Sequence, residues 1–131
     1  MTRLNERGAS AVEFALLLPV LMLILFGIIE FGMVMYSREV LTNASREGAR
    51  AGIVLQTPKL TMGQIQSVVT TYLTNTGINP SNVTVNVTGA QGVFPNNLIV
   101  SATYPYQFFA PGILGLGNTI TLTTQTVMRH E

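Results

Sequence analysis

The chain has 131 residues, room for one small domain and not for two. Charged residues make up only 10% of it, against roughly 25% in a soluble domain, and the net charge of +1 comes with no basic run that would suit nucleic acid. There is no Cys, which excludes a disulfide framework, a thiolate metal site, a cysteine nucleophile and a lipid anchor on Cys.

The apolar excess is concentrated near the N-terminus. No residue from Phe14 to Ile29 is charged, and the apolar character continues past Glu30 through Phe31, Val34 and Met35. A helix from Ser10 to Met35 would be ~39 Å long at ~1.5 Å per residue. That exceeds the hydrocarbon core of about 30 Å. The rest of the chain is too small to wrap a helix that is apolar on every side, so a membrane span is expected over residues 9–36. Arg3 and Arg7 precede this run, as they would in a secretory signal, but no small-x-small cleavage site closes it. The small residues Gly8, Ala9, Ser10 and Ala11 lie before it instead. A protease cutting there would remove a short basic leader, residues 1–8, and leave the span attached. Arg38, Arg46 and Arg50 nearly balance the two leader arginines, so charge counting alone does not orient the span.

Glu13 stands at the start of the span. A carboxylate costs about 2.5 to 3.5 kcal/mol at the bilayer centre and less near the headgroups or the positive end of a helix dipole. If the chain is cut after Gly8, Ala9 gains an α-amino group that the Glu13 of a neighbouring subunit can pair with. Such pairing would neutralise both charges in an apolar bundle and fix its axial register. Pro19 lacks an N–H, leaves the Ala15 carbonyl without its helical partner, and is expected to kink the helix. Glu30 lies 17 residues beyond Glu13, about 26 Å along a helix, and is expected among the outer headgroups in contact with solvent.

The run Arg7-Gly8-Ala9-Ser10-Ala11-Val12-Glu13-Phe14, followed by Ala15-Leu16-Leu17-Leu18-Pro19, resembles a type IV prepilin signal. With the whole segment RGASAVEFALLLPVLMLILFGIIEFG and the later LTNASREGAR, the chain is similar to the TadE-like family. These are pseudopilins and related envelope proteins of the tight-adherence (Tad, or Flp) pilus system. The resemblance covers residues 7 to 52 and the closing Thr126-Val127-Met128-Arg129. It implies processing by a prepilin peptidase at Gly8–Ala9 and a cytoplasmic N-terminus in a bacterial inner membrane. The partners implied are other pilins and pseudopilins, an inner-membrane assembly platform and the lipid bilayer. Phe14 follows Glu13 where major pilins of this system tend to have Tyr, which favours a minor pseudopilin.

Beyond Tyr36 the helical spacing persists. Val40, Leu41, Ala44, Gly48, Ala51 and Leu55 recur on one side, with Arg38, Glu39, Arg46, Glu47 and Arg50 on others, so a rod reaching about Leu55 is expected. Ala44, Gly48 and Gly52 form a smooth strip that would let a sheet or a helix approach closely. Glu47 and Arg50 suit an i,i+3 pair. A second helix is expected over 58–76, capped by Thr57 with Pro58 in its first turn, and carrying Leu60, Ile65, Val68, Val69, Tyr72 and Leu73 as its apolar stripe.

The period then changes to two, and strands are expected at about 82–88, 98–106 and 119–128. One antiparallel sheet covered by the outer part of the rod and the second helix gives an α+β fold. Residues 37–131 would thus form an extracytoplasmic domain, and the family resemblance makes it pilin-like. The loop from Phe108 to Leu116 is very apolar and could tuck into the core, lie on the membrane surface or form a subunit contact, for which Phe108, Phe109, Ile113 and Leu114 are the candidates.

The search for chemistry is negative. Acids are confined to Glu6, Glu13, Glu30, Glu39, Glu47 and Glu131, there is no Asp, and the single His130 has no neighbouring ligand pattern. No acid pair, nucleophile set, metal cage or phosphate loop can be assembled, so no catalytic or metal residue, cofactor or small-molecule substrate is expected. A protein that acts by assembly is the expectation, with an uncleaved anchor of the same apparatus as the alternative. A membrane-bound sensor is disfavoured because the residues before Ala11 are too few for a cytoplasmic output.

Overall fold

The computed structural model describes residues 2–115 and 117–130. One helix dominates it. α1 runs from Thr2 to Ile53, passes through Pro19, and ends close to where the fading apolar spacing predicts. It is followed by α2 (Met62–Asn75), a 3-10 turn (Pro80–Asn82), β1 (Thr84–Thr88), β2 (Asn97–Gln107), a one-turn helix α3 (Pro111–Leu114) and β3 (Thr119–Arg129). The fold is α+β, as the change of period implies.

The second helix begins later than the sequence suggests. Thr61, not Thr57, is its cap: Gln64 N–H donates to the Thr61 hydroxyl, and the Thr61 N–H donates to the Gln64 side chain. This reciprocal box satisfies two amides that the first turn would otherwise leave without acceptors. Thr57 and Pro58 belong to the connection before it. At the other end Gly77 takes φ +82°, and the N–H of Ile78 reaches back to the Leu73 carbonyl at 3.0 Å. That left-handed residue lets the chain reverse toward the sheet at no steric cost.

The sheet has the order β1-β2-β3, antiparallel throughout. β1 pairs with the first half of β2 (Thr84 opposite Thr103, Thr88 opposite Ile99), and β3 pairs with all of it (Asn97 opposite Arg129, Gln107 opposite Thr119). Pro105 lies past the end of β1, where β2 has an open edge that tolerates a residue without an N–H. Leu98, Val100, Ala102 and Tyr106 of β2 and Leu122 of β3 point inward, the alternation of a sheet with one covered face.

The covering layer is the second half of α1 together with α2. Val40, Leu41, Ala44 and Ala49 meet Ile65, Val69 and Leu73 and the inner face of the sheet in one core. The strip of small residues works as expected. A Cβ on Gly48 would run into the Val69 side chain, and one on Gly52 would lie 2.7 Å from Ile65 Cδ1 and against Leu98. Glycine at these points is what lets α1, α2 and β2 converge. These contacts also set the direction of β2. Its start lies beside Gly52 and its end beside Glu30, so the sheet runs back down α1 toward the apolar half of the helix.

Candidate assembly and anchoring surfaces

From Ala11 to Leu25 the side chains of α1 are exposed. Phe14, Leu16, Leu17 and Leu21 are each more than half exposed, and the apolar side chains around them are exposed as well. Of the described residues, α1 alone is long and apolar enough to cross a membrane, and none of its most apolar window is buried in the fold. Leaving a Leu or Phe in water forfeits about 1.5 to 3 kcal/mol per side chain. A row of them therefore requires an apolar surrounding, whether lipid or neighbouring helices. Gly8, Ala9 and Glu13 are all exposed on this bare part. The ion pair described within the chain is Glu47–Arg50 at 4.0 Å, so among the described residues Glu13 has no cationic partner. Pro19 sits among Phe14, Leu17, Leu18, Val20, Leu21 and Ile24, which line a shallow groove on the helix surface.

Glu30 departs from expectation. It is only 3% exposed, where a solvated headgroup acid was expected. Its Oε1 accepts the Phe109 N–H at 2.8 Å and the Tyr106 hydroxyl at 3.2 Å. Tyr106 stacks edge-on against Tyr104 and Phe108, with ring centroids 6.3 and 5.8 Å apart. Burial, the adjacent Glu30 carboxylate, the hydrogen bond to it and Tyr104 together hold the Tyr106 phenol above its usual range. The end of β2 and the start of the following loop are thus fastened to α1 at one oxygen atom. Beside that fastening, Gly27, Glu30, Phe31, Val34, Met35, Phe108 and Ile120 line an apolar groove of about 460 Å³.

The loop after β2 divides its aromatic pair. Phe108 packs partly against the core, whereas Phe109 is 82% exposed. Ile113 and Leu114 fall in the short α3, but their side chains lie outside the described residues. Of the two described side chains in the expected contact set, Phe109 is the exposed one. At the far end of the sheet, His130 is 1% exposed and its Nε2–H donates to the Gly89 carbonyl at 2.8 Å. Lys59 Nζ donates to the Gly92 carbonyl at 2.6 Å. Both hold the β1–β2 loop in place. Among the described residues no group of three or more His, Cys, Asp or Glu converges as a metal site.

Residues 8–50 match the family described as TadE-like protein. Over that segment the chain is similar to TadE-like proteins. Curated proteins and solved structures give no match. The TadE-like segment coincides with most of the described helix, both its bare part and the part that packs on the domain. Within it lie Gly8, Ala9, Glu13, Pro19 and Glu30, along with Ala44 and Gly48 of the close-packing strip.

Sequence reasoning missed the Glu30 contacts and the burial of His130. Glu30 meets Tyr106 and Phe109 from 76 and 79 residues away, and one donor is a backbone amide that no residue type announces. A signal was nonetheless available in part. An acid breaking an apolar span has to find donors, and a Tyr flanked by apolar residues at a strand end is a natural one.

Proposed function

We propose that this chain is a minor pseudopilin of a Tad-type pilus, anchored in the bacterial inner membrane by α1 and acting through assembly with other subunits. The observation that carries this is the bare first half of α1, apolar on all sides and bearing one exposed carboxylate, Glu13, within a TadE-like segment. Prepilin peptidase cuts between Gly8 and Ala9, the N-terminus lies in the cytoplasm, and the domain beyond Tyr36 stands outside. The new α-amino group of Ala9 then pairs with the Glu13 of an adjacent subunit. In an apolar bundle neither charge is tolerable alone, so the pair selects one axial register over its neighbours. The bilayer, other pilins and the inner-membrane platform are the partners. The chain performs no chemistry of its own.

Intact mass of the membrane-extracted protein, from cells with and without a prepilin peptidase, tests the processing step. The expected result is loss of residues 1–8 only when the peptidase is present. A chain starting at Met1 in both cases overturns the processing step and points to an uncleaved anchor of the same apparatus.

A further inference from the structure

We infer that the loop from Phe108 to Gly115 is a second membrane attachment, lying in the outer interface of the bilayer beside the span and held there by Glu30. The inference rests on α1 crossing a membrane, and adds to it where the domain sits. Glu30 follows Glu13 by 17 residues, about 26 Å of helix, against a hydrocarbon core of about 30 Å. With Glu13 at one boundary, Glu30 lies just inside the other. The Phe109 amide is 2.8 Å from the Glu30 carboxylate, so Phe109 shares its depth.

The surroundings fit a lipid surface. The exposed apolar side chains of α1 continue past this level through Phe31, Met33 and Met35, and Phe109 and Ile120 extend the same surface onto the domain. Residues 60–128 contain no Asp, Glu, Lys or Arg, so nothing charged on the loop or on β3 up to Met128 opposes insertion. Tyr36, half exposed six residues beyond Glu30, stands where interfacial tyrosines gather. Glu30 itself is an acid at a depth where an unpaired one is costly, and the two donors from β2 and the loop remove that cost. The opposite end of the domain gives the contrast. Phe94 is also exposed, but it lies in the β1–β2 loop beside Arg129, about 33 Å along β2 from Gln107.

The chain has no Trp, so single reporters can be read without background. Full-length Phe109→Trp, Leu21→Trp and Phe94→Trp are reconstituted into phosphatidylcholine and phosphatidylglycerol vesicles carrying bromine at shallow or deep acyl positions. All three native side chains are more than half exposed, and circular dichroism checks that each variant keeps the native spectrum. The expected result is strong quenching of Leu21→Trp by deep bromine, quenching of Phe109→Trp by shallow bromine with blue-shifted emission, and no quenching of Phe94→Trp. If Leu21→Trp is quenched while Phe109→Trp behaves like Phe94→Trp, α1 spans but the loop does not touch lipid, and the inference falls. If Phe109→Trp is blue-shifted without bromine quenching, and the shift fades on dilution, the loop contacts a second copy of the chain and the inference also falls. An unquenched Leu21→Trp removes the span and the inference together.

Discussion

The two halves of α1 share one helix but differ in what surrounds them. From Phe14 to Leu25 the side chains face outward with no intrachain partner, whereas Leu41, Ala44, Ser45 and Ala49 are wholly buried. Residue choice explains the difference. The first half carries large apolar residues all round, which suits an apolar solvent. The second half carries small residues on one side, where α2 and β2 come within contact of the backbone, and charged residues on the other. A single helix can thus present a bare apolar surface along one half and a core face along the other when its side-chain size and polarity switch at one point. Glu30 marks the switch.

Substitutions that confuse the halves test this. Gly48→Leu puts a bulky side chain where even a Cβ meets Val69, so the domain should lose about 3 kcal/mol, read as a fall in thermal midpoint in detergent. Membrane insertion should be unchanged. Glu30→Ala removes the acceptor of a buried hydroxyl and of a backbone amide, and should cost about 2 kcal/mol in the same measurement. Tyr106→Phe loses one of those bonds and should cost about 1 kcal/mol.

Tyr106→Phe also changes the pH response. The folded chain holds the Tyr106 proton above the usual value of about 10, at which the unfolded chain releases it. This contribution is complete below that value and is lost as pH rises through the folded one. The native chain should therefore lose stability above about pH 10 more steeply than the variant. An identical slope would mean that Tyr106 is not shielded. Smallest of all, Leu21→Ala should shift the domain midpoint by less than about 0.5 kcal/mol, since its side chain touches nothing in the domain. A larger shift would erase the distinction between the halves.

Much of this was legible in the sequence, and the gaps have physical causes. The long apolar helix, the end of the rod and the strip at Ala44, Gly48 and Gly52 follow from local patterns of size and polarity that survive folding. The three strands follow from strict alternation, as at Val83, Val85 and Val87. The start of α2 was misread because Thr57-Pro58 imitates a cap, although Gln64 three residues after Thr61 marks the true one. Glu30 was misread for a deeper reason. Its environment is made by the return of β2 along α1, and no window of sequence around residue 30 contains it. The apolar loop drew attention by composition, but composition did not separate Phe108, which packs inward, from Phe109, which does not.

The central claim is that the bare half of α1 exists to meet other subunits and that Glu13 sets how they meet. It is tested most directly by comparing wild type with Glu13→Ala in cells carrying the rest of the pilus system, with the chain quantified in the membrane fraction and in sheared, crosslinked pilus assemblies. The account predicts equal amounts in the membrane and loss of the variant from the assemblies by tenfold or more, the effect of about 1.4 kcal/mol. Equal recovery of both chains from the assemblies would contradict it.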